Sequence, residues 1–261
     1  MNILDEIVAH KKLEVEKRKA EMPVSQLEQL PLFSTPAYSL KRFLLDGTTS
    51  GIIAEFKRRS PSKGTINENA NVLRVTSDYT TNGASGLSIL TDNKFFGGSI
   101  DDIVSARINE LPILRKDFII DEYQIIETKG YGADVLLLIA AILTLEQVKE
   151  FTSLAHELGL EVILEIHSKD ELAYINDRVD IVGVNNRNLK TFEVNLEQSV
   201  YLRNKIPDEK IKISESGIHT AKDIQYLKHS GYNGFLIGET FMQHDDPGLA
   251  FMKFISELNE L

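Results

Sequence analysis

Charged side chains stand at the ends of short apolar segments in this chain, and they are its first sign of chemistry. The segment at 51–57 (GIIAEFK) has two isoleucines near its start and includes Glu55 and Lys57. Side chains alternate across a β-strand, so Glu55 and Lys57 would share one face with Ile53. A buried carboxylate and ammonium are costly to desolvate unless they are paired or used in chemistry. The pattern therefore indicates either an acid–base pair or a structural ion pair.

Four later apolar segments also end in polar side chains. A single charge at a strand end is most often solvated, but five strands ending in this way at one rim predict a catalytic cluster. Arg115 and Asp117 alternate with Lys116 and should instead face the helices and pair with each other. The candidate residues at these four ends are Lys116, Glu165, Asn185, Arg187, Glu215, Ser216 and Gly217.

These segments belong to a regular alternation of strands and helices. Short runs rich in Ile, Val and Leu, typical of strands buried on both faces, indicate a parallel sheet. Eight such units favour an α/β fold of the (β/α)8 TIM barrel type over an open doubly wound sheet, whose usual GxGxxG is missing after the first strand. The predicted strands are 51–57, 86–91, 112–116, 134–139, 161–166, 181–184, 211–214 and 234–237. The predicted helices are 70–82, 100–109, 121–130, 144–158, 169–176, 194–205, 219–230 and 247–259.

A leader of about 48 residues precedes the first predicted strand. Residues 1–20 have the amphipathic, Lys- and Glu-rich pattern of a surface helix, and a shorter helix is expected near 39–45. Prolines between them break the chain into short pieces. We predict one domain, 1–261, with residues 1–48 as an N-terminal helical extension and residues 49–261 as the barrel.

The composition argues against several classes of protein. With no Cys among 261 residues, the chain has no disulfide framework, thiolate metal site or cysteine nucleophile. Its net charge of −10 argues against nucleic acid as a partner. No apolar run is long enough for a membrane span, and residues 1–19 lack the apolar core of a signal peptide. We therefore expect a soluble cytoplasmic protein.

The histidines do not indicate a metal site. The six histidines show no ligand spacing such as HExxH, so no metal is expected. His167 would share a face with Glu165 at the end of the fifth strand, but a solvated loop residue is the expected outcome there.

Two glycine-containing turns are candidates for binding phosphate. Ser216 and Gly217 follow the seventh strand, and Gly238 and Glu239 follow the eighth. Barrels of this type hold phosphate with backbone N–H groups of these two loops, and glycine permits a close approach. The basic run at 57–59 is expected to add positive potential for an anionic substrate rather than to bind nucleic acid.

Several motifs resemble those of the indole-3-glycerol phosphate synthase family, and the match covers essentially the whole chain. They occur in the family's order, and motifs of this length are highly specific. Residues 89–92 (ILTD) and 95–99 (FFGGS) also look like the family's second loop. The strongest motifs are residues 53–62 (IAEFKRRSPS), 114–119 (LRKDFI), 183–189 (GVNNRNL), 214–218 (SESGI) and 236–239 (LIGE).

The resemblance implies a carbon–carbon carboxy-lyase of tryptophan biosynthesis. The family converts 1-(2-carboxyphenylamino)-1-deoxyribulose 5-phosphate into indole-3-glycerol phosphate, with loss of carbon dioxide and water, and uses no cofactor or metal. Lys116 matches the general acid of ring closure, and the other residues share the acid and base steps of dehydration, with no step assigned to any one of them. The implied catalytic residues are Glu55, Lys57, Lys116, Glu165, Asn185 and Ser216.

The resemblance also implies how the substrate is held. Arg187 would bind its carboxylate. The extension at 1–48 would lie over the barrel mouth and help to bury the substrate, with a helical plug at the barrel bottom as the alternative. Glu at position 239 is compatible with a phosphate contact through the backbone N–H. The implied phosphate contacts are Ser60, Gly217, Gly238 and Glu239, the ring contacts are Phe96, Phe118 and Leu189, and Glu215 and Ile237 complete the substrate-binding set.

Two other functions share parts of this pattern. Phosphoribosylanthranilate isomerase has the same fold and pathway, but that family relies on a cysteine base and this chain has no Cys. A non-catalytic phosphate-ligand sensor would be expected to have lost lumen charges such as Lys116 and Glu165, which are intact. Exposed apolar residues on the predicted helices are too few to argue for an interface, so we expect a monomer.

Overall fold

The predicted barrel is present in the computed structural model, which describes residues 3–188 and 191–261. Each of its eight strands runs parallel to its neighbours, and the first pairs with the last to close the barrel. The strands are β1 (Ile52–Phe56), β2 (Gly86–Leu90), β3 (Ile113–Lys116), β4 (Val135–Ile139), β5 (Glu161–Ile166), β6 (Ile181–Asn185), β7 (Ile211–Glu215) and β8 (Gly234–Ile237). The fold is a TIM barrel of the α/β class.

Helices surround the barrel and begin near the predicted positions. They are α1 (Ile3–Glu21), α2 (Val24–Leu27), α3 (Leu40–Leu45), α4 (Val72–Thr81), α5 (Asn93–Phe96), α6 (Asp101–Ala106), α7 (Glu122–Gly130), α8 (Leu145–Glu157), α9 (Glu197–Arg203), α10 (Ala221–His229), α11 (Glu239–Met242) and α12 (Pro247–Asn259). Among the described residues, no helix is long and apolar enough to cross a membrane.

The differences from the predicted elements are short or irregular segments. The helix expected at 169–176 is a 3₁₀ turn, Asp170–Tyr174. A second 3₁₀ turn, Ala140–Ile142, and a hairpin of Arg59–Ser60 with Gly64–Thr65 were not predicted, and neither were α2, α5 and α11. An element of one turn or less contains too few residues to show a helical or strand period.

The barrel interior is apolar at one end and charged at the other. Ile53 and Leu114 point inward near the N-terminal ends of their strands and pack in one aliphatic cluster. Two residues further along the same strands, Glu55 and Lys116 border a cavity at the C-terminal ends. The predicted faces of these strands are therefore confirmed, and packed aliphatic side chains support the charged residues from below.

The N-terminal extension contacts both ends of the barrel. Ile3 and Ile7 of α1 border the cavity at the C-terminal ends of the strands. Leu40 and Leu44 of α3 instead join the aliphatic cluster around Ile53 at the opposite end. Residues four apart lie on the same side of a helix, so Leu40 and Leu44 form an apolar stripe. This stripe is buried against the aliphatic side chains at the bottom of the barrel. The prediction of an extension over the mouth is thus wrong for α3.

Candidate active site

One cavity of about 180 Å³ opens at the C-terminal ends of the strands, where barrel enzymes place their active sites. Leu189, a predicted ring contact, lies outside the described residues. The Ile237 side chain packs in the layer between barrel and helices. Ile237 nevertheless borders the cavity, as do all the remaining predicted site residues. These are Glu55, Lys57, Ser60, Phe96, Lys116, Phe118, Glu165, Asn185, Arg187, Glu215, Ser216, Gly217, Gly238 and Glu239.

Lys116 lies between two buried carboxylates. Its Nζ atom is 3.2 Å from Glu165 Oε2 and 2.5 Å from Glu215 Oε2. Burial disfavours the charged ammonium, but the charges of Glu215 and Glu165 outweigh this effect and raise the pKa of Lys116. Lys116 therefore carries its proton at neutral pH and can donate it where negative charge develops on an oxygen.

The two carboxylates beside Lys116 differ in their affinity for a proton. Burial raises the pKa of Glu215, Lys116 lowers it, and the adjacent Glu165 raises it again, to about 7. Burial also acts to raise the pKa of Glu165, but Lys116 and His167 outweigh it and hold this pKa well below its ordinary value. Since the two groups interact strongly, they titrate as a pair. Glu165 is the member that stays ionised.

Glu215 has one oxygen left for a ligand. Its Oε1 atom is buried and has no hydrogen-bond partner among the described residues. Gly183 on the neighbouring strand makes room for this oxygen, because a Cβ atom there would collide with it. A buried acceptor without a partner costs free energy, which a polar group of the substrate would recover.

Glu55 and Lys57 form an ion pair in the cavity wall. Lys57 Nζ lies 2.7 Å from Glu55 Oε1. Gly238 on β8's loop is required for this arrangement, because a Cβ at position 238 would lie 2.5 Å from Glu55 Oε1 and 2.9 Å from Glu55 Cβ. The glycine predicted as a phosphate contact thus also leaves space for the carboxylate of β1.

The basic run at 57–59 does not supply the predicted positive potential through Arg58. Arg58 donates two hydrogen bonds to Asp102, of 2.6 and 3.0 Å, and stacks on Phe56 at 4.7 Å from the ring centroid. Arg59 donates to the Asn93 backbone oxygen at 2.9 Å. The predicted role in attracting the substrate was wrong for Arg58, because Asp102 neutralises its charge. This pairing could not be foreseen, since Asp102 lies on α6, far from Arg58 in sequence.

Arg115 and Asp117 are buried and pair with each other at 3.1 Å, as predicted. Arg115 also contacts Glu127 of α7 at 2.7 Å. Lys11 of α1 joins this group, with its Nζ atom 2.9 Å from both Asp117 and Asp92. The cluster therefore ties α1 to Asp117, which follows Lys116 at the end of β3, and to Asp92, which precedes the α5 helix that carries Phe96.

The loop after β7 is held in an uncommon conformation by buried hydrogen bonds. Ser216 has a φ of 69° and Gly217 a φ of 76°, and such a value is uncommon for a residue with a Cβ. Asn186 donates to the Ser216 backbone oxygen at 3.1 Å and to Ser214 Oγ at 2.9 Å, and accepts from Ser199 Oγ at 2.8 Å. These bonds fix the backbone of the predicted phosphate loop.

Glu239 joins two cations at the mouth of the cavity. Its carboxylate oxygens lie 3.4 Å from Arg187 Nη2 and 3.4 Å from Lys63 Nζ. Arg187 also donates to the Phe192 backbone oxygen at 3.4 Å. The arrangement bridges the loops after β1, β6 and β8. The carboxylate of Glu239 thus pairs with the two cations that could otherwise bind an anionic substrate.

Aromatic and aliphatic side chains form the apolar wall of the cavity. The rings of Phe96 and Phe118 are 5.9 Å apart and tilted by 40°. Phe192, Ile3 and Ile7 also line it, and the sequence reasoning missed all three. The amphipathic pattern of α1 indicated a buried face for Ile3 and Ile7 but not what it covers. No signal singled out Phe192, which lies in a loop.

His167 is packed beside Glu165 rather than solvated, so that prediction was wrong. Its side chain is 12% exposed, with Nε2 3.2 Å from Glu165 Oε1 and Nδ1 3.6 Å from Glu171 Oε2. Glu171 belongs to the 3₁₀ turn Asp170–Tyr174, which folds back on the end of β5. That turn was predicted as a regular helix, so its contact with His167 could not be foreseen.

Lysine and arginine side chains form ion pairs with the carboxylates of the cavity. The pairs are Glu55 with Lys57, Glu165 and Glu215 with Lys116, and Glu239 with Arg187. Within residues 3–188 and 191–261, no group of three His, Cys, Asp or Glu side chains is arranged to hold a metal ion. The polar groups of the site are suited to proton transfer and anion binding.

The motifs around this cavity match one family along the chain. The family model for indole-3-glycerol phosphate synthase matches residues 4–254. The chain belongs to the indole-3-glycerol phosphate synthase family. The predicted family, function and carboxy-lyase class are therefore confirmed. The two alternatives, phosphoribosylanthranilate isomerase and a phosphate-ligand sensor, are not supported.

Two curated relatives show the extent of the similarity. The indole-3-glycerol phosphate synthase of Bacteroides thetaiotaomicron is 48% identical over 258 residues, which are 98% of this chain and 99% of that protein. The indole-3-glycerol phosphate synthase of Albidiferax ferrireducens is 39% identical over 260 residues, 98% of each chain. The similarity to both indole-3-glycerol phosphate synthases therefore includes the N-terminal extension as well as the barrel.

Solved structures of low sequence identity share the fold alone. A chain of the tryptophan synthase a2b2 complex from Pyrococcus furiosus has a TM-score of 0.60 at 15% identity, over 82% of this chain and 100% of that one. Orotidine 5′-monophosphate decarboxylase from Sulfolobus solfataricus has a TM-score of 0.61 at 11% identity, over 81% of this chain and 99% of that one. Both structures support the assignment of this chain to the TIM-barrel fold.

Proposed function

We propose that Lys116 is the acid that starts indole ring formation in this cavity. The placement of Lys116 Nζ between Glu165 and Glu215 carries the proposal, because it keeps a proton available at the end of β3. The substrate's ring carbon that bears the carboxylate attacks the C2′ carbonyl carbon, and the carbonyl oxygen takes the proton of Lys116 as it gains charge. Carbon dioxide then leaves, and its bonding electrons restore the aromatic ring.

Dehydration needs a second acid and a base. We assign the acid to Lys57, which lies directly after β1 and pairs with Glu55 at 2.7 Å, and it protonates the departing hydroxyl. Glu165 stays ionised and accepts the proton lost from C1′, which is acidic because the intermediate carries positive charge. Asn185 and Ser216 border the same cavity and would orient the hydroxyl. Each acid–base contribution is typically about 10²- to 10⁴-fold in rate.

Separate surfaces of the cavity would hold the other parts of the substrate. The phosphate fits the loops after β7 and β8, the carboxylate fits Arg187, and the aromatic ring fits the tilted pair Phe96 and Phe118. Glu215 Oε1 would accept from a sugar hydroxyl. Ile3 and Ile7 of α1 would shield the bound substrate from water, since they border the same cavity.

The test of this function is indole formation by the purified protein. Indole-3-glycerol phosphate is fluorescent, so turnover appears as a rise in indole emission after addition of 1-(2-carboxyphenylamino)-1-deoxyribulose 5-phosphate. We expect the rise without any added metal or cofactor, and none in a reaction lacking the protein. A protein that binds this substrate but forms no indole would overturn the proposal.

Glu239→Gln is expected to strengthen anion binding at the mouth. The substitution frees Arg187 and Lys63, and partly exposed ion pairs of this kind are each worth up to about 1 kcal/mol. The inhibition constant of inorganic phosphate should therefore fall by about 2- to 10-fold, and KM should fall with it. Competitive inhibition by phosphate measures the effect, with the exposed Glu193→Gln as control. An unchanged inhibition constant would show that Glu239 does not compete with anions.

We propose that the protein acts as a monomer in the cytoplasm. The first part is supported by the cavity lining, because the strands and loops of a single barrel bring together the proposed acid, base and substrate contacts. The net charge of −10 is compatible with free solution. Sedimentation equilibrium should give a mass close to 29.4 kDa across micromolar concentrations. A mass near twice this value would contradict the monomer.

A further inference from the structure

His167 is a charged neighbour of the proposed base that the motifs do not include. It follows directly after β5, and its Nε2 atom lies 3.2 Å from Glu165 Oε1. Lys116 contacts the other oxygen, Oε2, of the same carboxylate at 3.2 Å. The two oxygens of Glu165 thus face one cationic partner each, from opposite sides. Attraction to a positive charge at each oxygen favours one orientation of this carboxylate.

The surroundings of His167 fix its backbone and favour the charged form of its ring. Glu171 of the 3₁₀ turn faces the second ring nitrogen at 3.6 Å and accepts from the His167 backbone N–H at 2.5 Å. Gln198 of α9 donates to the His167 backbone oxygen at 2.6 Å. The imidazole therefore lies between two carboxylates, Glu165 and Glu171, with the Lys116 ammonium beyond the first.

We propose that protonated His167 is a positioning residue that keeps Glu165 ionised and fixes the orientation of its carboxylate for proton removal from C1′. The inference rests on the proposed function and deepens it. Burial acts to lower the pKa of His167, but the neighbouring carboxylates Glu165 and Glu171 outweigh it and raise the pKa to about 10. The imidazolium consequently persists at neutral pH, and its charge contributes to the lowered pKa of Glu165.

This positioning suits the step assigned to Glu165. The proton lost from C1′ leaves a cationic intermediate that becomes aromatic, so a weak base is sufficient. What the step requires is an ionised carboxylate in one orientation, because misplacement of a catalytic group is costly in rate. His167 supplies both conditions without touching the substrate, since it does not border the cavity.

Nuclear magnetic resonance of the histidine rings tests the charge state without any turnover. We expect the His167 signal, identified by its loss in His167→Gln, to remain that of an imidazolium above pH 8. Glu171→Gln removes one of the two facing carboxylates and should lower the titration midpoint of His167 by about one pH unit or more. A midpoint near the ordinary value of about 6.5 in the unmodified protein would overturn the proposal.

The pH dependence of kcat tests the effect on the base. Its acidic limb reports the coupled carboxylates Glu165 and Glu215, and His167→Gln removes one positive charge beside them. We expect the limb to move to higher pH by about one unit. His156→Gln is the matched control: it removes a histidine paired with Asp180 at 2.8 Å, on the outer face of α8, and should leave the limb in place.

The outcomes separate this inference from the proposed function. Coincident profiles for His167→Gln and the unmodified protein would overturn the role of His167 while indole formation stands. Absence of indole formation by the unmodified protein would overturn the proposed function itself. A shifted limb in His167→Lys, which keeps a positive charge, would also contradict the electrostatic role, because that variant should retain the original profile.

Discussion

Replacing Lys116 with Met is expected to lower kcat by about 10²- to 10⁴-fold while the barrel remains folded. Met preserves most of the length and packing of the side chain but has neither the proton nor the charge. Ring closure then develops negative charge on the C2′ oxygen with no acid within reach at the end of β3.

The measurement is indole fluorescence under single-turnover conditions, so that product release does not mask the chemical step. Circular dichroism should show an unchanged barrel, since Lys116 lies at the open end of the lumen. Lys149→Met places the same change on an exposed position of α8 and should keep the full rate. A Lys116→Met variant with more than about a tenth of the normal rate would refute the role as first acid.

The strand register explains why the central charges could be predicted from the sequence. Side chains alternate along a strand, so the aliphatic Ile53 and Leu114 identify the inward face, and Glu55 and Lys116 follow on that face. The barrel then brings the ends of all strands to one rim. Nothing beyond the strand assignment was needed for this part of the site.

Contacts between segments distant in sequence were beyond the same reasoning. Lys11 was one of several lysines on an amphipathic helix, yet it is 1% exposed and reaches Asp92 and Asp117. His167 was judged from its loop position, although the turn that carries Glu171 encloses it. In both cases the deciding partner depends on how a loop or helix packs, which no local period encodes.

Replacing Lys11 with Met is expected to destabilise the protein by about 3–5 kcal/mol. The substitution removes the ammonium between Asp92 and Asp117, each 2.9 Å away, and leaves both carboxylates buried with less compensation. Arg115 still contacts Asp117, so the cluster is weakened rather than abolished. Because the cluster also anchors α1 beside the cavity, KM should rise as the cover loosens. Urea unfolding at pH 7 measures the first effect and fluorescence kinetics the second.

The pH dependence of this loss distinguishes an electrostatic clamp from simple packing. Burial acts to raise the pKa of Asp117, but Lys11 and Arg115 outweigh it and hold this pKa well below its ordinary value. Folding therefore gains stability from Asp117 above its unfolded pKa of about 4, and this gain disappears as the pH falls through the folded-state pKa. In Lys11→Met the pKa of Asp117 rises, so the deficit relative to the unmodified protein should be largest at neutral pH and shrink below about pH 4. Lys12→Met, an exposed neighbour on α1, is the control. A deficit that does not change with pH would assign the effect to lost packing and would leave α1 without an electrostatic anchor.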